Sequence, residues 1–342
     1  MGFQTELRVP LGVNLSFWER STSFSELVEI VRLADDLGFA HVTVSESLGR
    51  DGSVVADRLL GASSGIQVCF GVANPFSRSP AVLAAAAATL NDLSGGRFVL
   101  GLGASTANLV EGWHGLPFDR PLQRLRETVE MCHRVWARDD TLYEGQIFRA
   151  AGVKLAFEPQ FGAVPIWSGS LLDSSLTLTG ELFDGWMPGL MPVEHLAWAR
   201  ERIARGSALA GRRRDAIVVA PTYSICFEDE DAKQRERVAI ATYYGPSASP
   251  YAAAASRVGF EDDVAAIQSA YAAGGARVAA AVVSKRLLNS VAIVGSIEEC
   301  RDEIELRLVE AADRVSVMLP ASSAADCEPI LRRLVPRYGS GA

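Results

Sequence analysis

The sequence predicts an α/β fold, a (β/α)8 TIM barrel with extra helices inserted before its last strand. Three observations carry this expectation. Strand-like and helix-like patterns alternate along almost all of the 342 residues, the order that builds parallel βαβ units. Eight segments read as strands, the number at which such units close into a barrel. Hydrophobic residues make up 49% of the chain and charged ones 22%, which supports one generous core and excludes intrinsic disorder. An open doubly wound sheet is the alternative arrangement of the same units.

Taken in order, Val9 to Phe17 is an apolar run that reads as the first buried strand. Ser23 and Glu26 have the spacing of a capping box, opening a helix with the stripe Leu27, Ile30, Val31, Ala34 and Leu37 that Gly38 ends. His41 to Ser45 is the second strand, followed by a short helix over Ser53 to Ser63. Ile66 to Val72 is the third, and Ser79-Pro80 supplies an N-cap with proline at the first helical position. That helix runs through the alanines to Leu93 and stops at Gly95-Gly96. Arg97 to Gly101 is strand four, with a long helix over Asp119 to Ala137. Val164 to Trp167 and Asp184 to Met187 are strands five and six, their helices running over Ser174 to Gly180 and Val193 to Leu209. Ile217 to Cys226 is the seventh strand. Ser296 and Glu299 form a second capping box on a helix through Leu308, Arg314 to Leu319 is the eighth strand, and Ala324 to Val335 a terminal helix. The segment Ala232 to Arg286 exceeds one barrel unit and is expected to hold the inserted helices. No linker divides the chain, so residues 1–342 read as a single domain.

Composition narrows the function. With 33 basic against 41 acidic residues the formal charge is −8, without the basic face a nucleic-acid binder needs. No stretch reaches the ~20 apolar residues of a membrane span, and Met1 to Leu11 carries Glu6 and Arg8 instead of an apolar signal core. Cys69, Cys132, Cys226, Cys300 and Cys327 are scattered without a CxxC, which argues against a disulfide framework or zinc site. A cytoplasmic enzyme with no metal, acting on a small molecule, is expected.

In a barrel of this type function gathers at the C-terminal strand ends. Those positions offer Trp18 and Glu19, Glu46 and Ser47, Asn74 with Arg78, then Gly103, Ser105, Thr106, Asn108 and His114, and finally Ser168-Gly169-Ser170. Small residues before a helix N-terminus suit an anion, so the last group is either a phosphate cradle or an ordinary tight turn. Gly101-x-Gly103 lacks the third glycine of a dinucleotide fingerprint. His41, at the start of its strand, reads as packing, and His133 and His195 as structural or exposed helical residues. His114 sits in a loop on the functional side. Glu46 is either an acid or base, or a loop carboxylate paired with an arginine. Arg212 to Arg214 reads as a solvated turn. No Gly-x-Ser-x-Gly elbow, zinc signature or Walker loop is present.

The segment from Ser79 to Gly103, reading SPAVLAAAAATLNDLSGGRFVLGLG, resembles the luciferase-like superfamily of flavin- and deazaflavin-dependent oxidoreductases, especially the branch using coenzyme F420. Gly71-Val-Ala-Asn-Pro75, Gly115 to Asp119, Tyr143-Glu-Gly145, Pro165-Ile-Trp167, Asp184-Gly-Trp186 and Val294-Gly-Ser296 fit the family's landmarks in order, over about residues 10 to 335. The resemblance implies a barrel with the cofactor ring across its strand ends and a non-prolyl cis peptide at Gly71–Val72 supporting that ring. It places Glu46, Gly71, Val72, Asn74, Gly103, Ser105, Thr106 and Asn108 on the cofactor. Ser168, Gly169, Ser170 and Leu171 would lie at its phosphate.

Glu46, Ser47, Thr106 and His114 are the candidate catalytic groups, and Trp18, Trp113 and His114 the candidate substrate wall. Two departures bear on the reaction. Members that oxidise alcohols or sugar phosphates carry an acidic-His pair where Glu46-Ser47 stands, and a glutamate where Thr106 stands. Hydride transfer from the deazaflavin C5 to an activated C=C or C=N bond, needing less acid–base machinery, is therefore the expected reaction. Thr106, Ser47 or a bound water would then supply the proton. The alternatives are an FMN-dependent monooxygenase fed by a separate reductase, and a non-catalytic flavin-binding barrel. A homodimer is the assembly the resemblance implies.

Overall fold

The structure is a computed structural model that describes residues 7–16, 22–46, 49–139, 142–151, 154–213 and 215–335. Its centre is a parallel sheet. β1 (Leu11–Asn14), β2 (His41–Val44), β3 (Gln67–Ala73) and β4 (Phe98–Leu102) pair in succession. A two-stranded hairpin, β5 (Tyr143–Glu144) with β6 (Arg149–Ala150), lies apart from it. β7 (Ile166–Ser168), β8 (Gly185–Trp186), β9 (Val218–Val219), β10 (Thr222–Cys226), β11 (Ala292–Val294) and β12 (Val315–Met318) complete the set.

The expected seventh strand, Ile217 to Cys226, is divided. β9 and β10 are two halves of one path interrupted at Ala220-Pro221, because Pro221 has no N–H to give its neighbour. Both halves still bond outward. Val218, Ala220 and Thr222 donate to the carbonyls of Asp184, Trp186 and Pro188, while Ser316 donates to Pro221 on the other side. That double pairing, with the Gly189–Thr222 bridge, joins the path after β8 to β12 and closes the barrel. β11, not anticipated from the sequence, lies beside the end of β10.

Helices cover the outside. α1 (Phe24–Asp36), α2 (Gly52–Leu60), α3 (Pro80–Leu93), α4 (Ala107–Gly112), α5 (Pro121–Trp136), α6 (Asp173–Leu182) and α7 (His195–Leu209) follow the strands in turn. Ser23 caps α1 through the Glu26 N–H, but the Glu26 carboxylate accepts from Ala324 N instead of closing the box. Ser296 and Glu299 make both halves of theirs. The inserted helices are α8 (Glu230–Tyr244), α9 (Pro250–Ser256), α10 (Glu261–Ala279) and α11 (Lys285–Val291), near the expected bounds. α12 (Ile297–Leu308) and α13 (Ala324–Leu334) complete the layer. Among the described residues, no helix is long and apolar enough to cross a membrane.

Much of the motif between Ser79 and Gly103 is structural. Ser79 caps α3, and Gly95 and Gly96 take positive φ so that the chain can turn into β4. The Arg97 guanidinium then donates to the carbonyls of Leu60, Ser63, Ile66 and Ser94, tying α2 and β3 to β4. The landmark Tyr143-Glu-Gly145 is structural too. The buried Glu127 carboxylate accepts from the N–H groups of Gln146, Ile147 and Phe148, and a Cβ on Gly145 would stand 2.2 Å from Glu127 Oε2.

Inside the barrel, bulky and small residues alternate between strands. His41 and Trp167 meet edge to face with centroids 6.2 Å apart, and Cys69, Val99 and Ala220 fill the space beside Trp167. Gly12 yields to the His41 ring, since a Cβ there would lie 2.3 Å from His41 Cε1. His41 Nε2 bonds Ser316 Oγ at 2.5 Å. Outside, α6 and α7 cross through paired glycines. A Cβ on Gly180 would fall 1.9 Å from the Ile203 carbonyl oxygen, and one on Gly206 the same distance from that of Thr177.

Two expectations follow. Gly206→Ala must push α7 away from α6, and should lower the unfolding free energy by about 2 kcal/mol or more in urea titration. Unchanged stability would mean that the helices part without cost. The second concerns pH. Burial, reinforced by Arg314, pushes the His41 pKa down to about 3, so the ring stays neutral in the fold while the unfolded chain takes up a proton below about 6.5. Stability should therefore fall as pH drops from about 6.5 towards 3, by up to about 1.4 kcal/mol per pH unit from this group. His41→Gln should remove that much slope in unfolding measured between these limits; parallel slopes would refute it.

Candidate active site at the strand ends

Three strand ends form one corner of the barrel mouth. At the end of β3 the Gly71–Val72 peptide is cis, as expected, and the pairing with β4 shifts register between Phe70 and Ala73. Below it, Met187 forms the floor. A Cβ on Gly71 would stand 2.4 Å from Met187 Cε, and one on Gly101 2.9 Å from Met187 Sδ. The Val72 side chain stands between two further glycines, where a Cβ on Gly103 would meet it at 2.7 Å and one on Gly169 at 3.1 Å. Glycine at those two strand ends is thus what gives the valine room.

Polar groups edge this platform. Asn74 is buried; its Oδ1 accepts from Phe76 N at 2.8 Å, while its Nδ2 has no partner among the described residues. Ser105 adopts φ 64°, and its buried Oγ is likewise unpartnered. Unsatisfied buried donors of this kind mark places where a bound group completes the bonding. Thr106 is committed to the fold: its Oγ1 accepts from Leu109 N and caps α4. Asn108 is exposed on the first turn of that helix, Trp113 at its end is 62% exposed, and His114 beside it is half-buried.

The Ser168 to Leu171 loop is rigid. Ser168 is fully buried, and Thr179 Oγ1, Ser168 Oγ and Ser170 Oγ form a hydroxyl chain at 2.9 and 2.6 Å. The Gly169 N–H donates to Leu102 O and that of Ser170 to Ser168 Oγ. Trp186 Nε1 holds the Ser170 carbonyl and His195 Nε2 contacts the Leu171 carbonyl at 3.0 Å. An anion at this corner would therefore meet the first turn of α6 rather than the Gly169 and Ser170 amides. Asp173, in that turn, is balanced by Arg202 Nε at 2.6 Å.

Glu46 takes the second of its two expected roles. Its two carboxylate oxygens accept from Arg78 Nη1 and Nη2 at 2.5 Å, and Arg78 also reaches Asp51 at 2.6 Å. The Glu46 bond is the main reason the Arg78 pKa is raised. Trp18, Glu19, Ser47 and Arg214 lie outside the described residues. The structure thus brings Val72, Asn74, Gly103, Ser105 and Gly169 together, with Thr106, Asn108, Trp113 and His114 on the α4 rim.

Across the mouth lies a feature the sequence reading missed. A cavity of about 440 Å3 opens between the ends of β10 and β12 and the face of α8. Glu236 lines it, with its Oε1 sealed from solvent and without a partner among the described residues. Burial pushes its pKa up to about 7, against a hydrogen bond from Ser224 that acts the other way. A signal was present: Ala232, Glu236 and Ile240 recur every four residues, so a carboxylate interrupts a buried stripe. A larger groove of about 1070 Å3, lined by Arg8, Arg200, Glu305 and Glu310 among others, lies between α7 and α12 on the outer layer, away from the strand ends.

Comparison with known proteins agrees with this architecture. A Mycobacterium tuberculosis protein provisionally named a coenzyme F420-dependent oxidoreductase is 27% identical over 339 residues, covering 93% of this chain and 97% of its own. A 5,10-methylenetetrahydromethanopterin reductase of Archaeoglobus fulgidus is 32% identical over 228 residues, 66% of this chain and 68% of that one. The solved F420-dependent tetrahydromethanopterin reductase of Methanopyrus kandleri superposes with a TM-score of 0.80 at 22% identity, over 96% of this chain and 99% of that one. Residues 10–314 match the luciferase-like monooxygenase family, and the chain belongs to it.

Proposed function

We propose that the protein is an F420-dependent oxidoreductase that reduces an activated C=C or C=N bond of a small organic substrate. The observation that carries this reading is the Val72 platform between Gly103 and Gly169, edged by the unpaired Asn74 Nδ2 and Ser105 Oγ. A flat, heteroatom-edged ring fits such a surface: the valine supports its face, and the two polar groups bond its rim. When bound, F420 supplies a hydride from its C5 carbon. The α4 rim carrying Thr106, Asn108, Trp113 and His114 is proposed to border the substrate, with the first turn of α6 beside Leu171 nearest the cofactor's phosphate. Thr106 orders that rim as a helix cap, and Glu46 holds the β2 loop through Arg78. The ion pair with Arg78 occupies the Glu46 carboxylate, which supports a reduction over an alcohol oxidation, while the Thr106 hydroxyl keeps its own proton as a candidate donor. The two relatives named for F420 or for a reductase point the same way. We place the enzyme in the cytoplasm, for which the scattered cysteines without a CxxC speak, and as a homodimer, as the sequence resemblance implies.

The second reading, an FMN-dependent monooxygenase, is favoured by the family description itself. Fold does not choose between them. Titrating the protein with F420 and with FMN, following ring fluorescence, separates the two. F420 should bind and FMN should not compete at equal concentration. Gly169→Leu, which crowds Val72, should weaken F420 binding by at least about tenfold. Tight binding of FMN alone, or a Gly169→Leu chain that binds F420 as before, would overturn the assignment.

A further inference from the structure

The cavity between β10, β12 and α8 is chemically one-sided. Leu190, Ile225, Ala232, Ala239, Met318 and Leu319 make most of its wall apolar. Into this wall α8 delivers Glu236, from the position that the stripe of Ala232 and Ile240 would otherwise fill with a hydrophobic residue. The Ser224 hydroxyl on β10 steadies the carboxyl group, and Oε1 is left buried without a bond among the described residues. Leaving such an atom unsatisfied is costly, so the site is complete only when a ligand brings a matching group.

The surroundings define that group. The β12 side of the cavity, Met318 to Ser322, contributes no ionisable side chain; β10 contributes the buried Cys226 thiol. On α8 itself Arg235 and Tyr243 line the cavity, and Lys233 and Asp229 stand near Cys226. Burial dominates the balance at Glu236 and keeps it protonated up to about pH 7. A neutral carboxylic acid in such a wall can pass its proton to a basic atom and keep the resulting ion beside it. An imine nitrogen has the lone pair for this, and a C=C carbon does not.

We propose that this cavity is the substrate pocket, that the substrate carries an imine bond, and that Glu236 is the acid that protonates the imine nitrogen. The proposal rests on the F420 reading for its reductant and selects C=N over C=C. The Glu236 O–H bond breaks as the N–H bond forms, giving an iminium ion paired with the carboxylate. The hydride of reduced F420 adds to the iminium carbon, and the π electron pair moves to nitrogen. The substrate becomes an amine, and the deazaflavin, oxidised by loss of its hydride, releases its remaining ring proton to water, which returns a proton to Glu236.

The test needs no cofactor. The probes are 2-methyl-1-pyrroline, a stable cyclic imine, and cyclopentanone, a neutral ring of similar size. At about pH 6, adding the imine to the unmodified protein should abolish the infrared band of the protonated Glu236 carboxyl, and cyclopentanone should leave it in place. Glu236→Gln should bind the imine at least about tenfold more weakly and cyclopentanone equally well. A band that survives the imine, or equal imine affinity in both proteins, overturns the proposal. F420 titration of the same Glu236→Gln protein keeps the two readings apart. Normal F420 binding with no imine response refutes this pocket alone. An imine response without F420 binding refutes the cofactor assignment and leaves the pocket as an imine site.

Discussion

The side chain of Val72 stands at the mouth of the barrel between two neighbours that have none. A Cβ on Gly103 or Gly169 would press on it from either side, and Gly71 and Gly101 beneath it make way for Met187. This steric bargain sets the rest of the site. Beside the valine the β3 register shifts between Phe70 and Ala73, Asn74 is buried with its Oδ1 on Phe76 N, and Ser105 takes a left-handed turn at the next strand end. The barrel below supplies the rigidity. His41, Trp167 and Cys69 fill its lower interior, and the double pairing of the β9–β10 path closes it. A platform held this way suits the proposed role of supporting a flat ligand.

Electrostatics at the mouth are local. A chain with formal charge −8 is a poor attractor of anions overall. Its charged groups near the strand ends are mostly paired with one another: Glu46 and Asp51 with Arg78, Asp173 with Arg202. Glu236 differs from these, an acid in a largely apolar wall with its Oε1 unpartnered among the described residues. On the proposed reading the two sides of the mouth offer different things, a surface for a ring on one side and a proton on the other.

Local chemistry made much of the fold legible in the sequence. Ser79-Pro80 and Gly95-Gly96 bound α3 as expected, because capping and stopping depend on adjacent residues alone. The cis peptide at Gly71–Val72 was legible only through the family resemblance. The break at Pro221 could not be seen as a division of strand pairing, since it depends on which strands flank it in space. The same holds for Glu46, whose arginine partner lies 32 residues away. Thr106 was read for its chemistry, and the structure adds that its hydroxyl oxygen also caps the helix that follows. Glu236 was hidden differently: the charged run from Glu228 to Arg237 resembles a solvated face, and only the spacing of Ala232 and Ile240 shows that one of its carboxylates turns inward.

The most direct measurement is a methyl NMR spectrum of the protein, with valine methyls labelled, taken before and after adding F420. Ring-current shifts should be largest at the Val72 methyls and small at Val82 and Val54, which are exposed on the outer helices. If the Val72 signals stay in place while F420 binds, the ring does not rest on this platform, and the account of the site built on it is wrong.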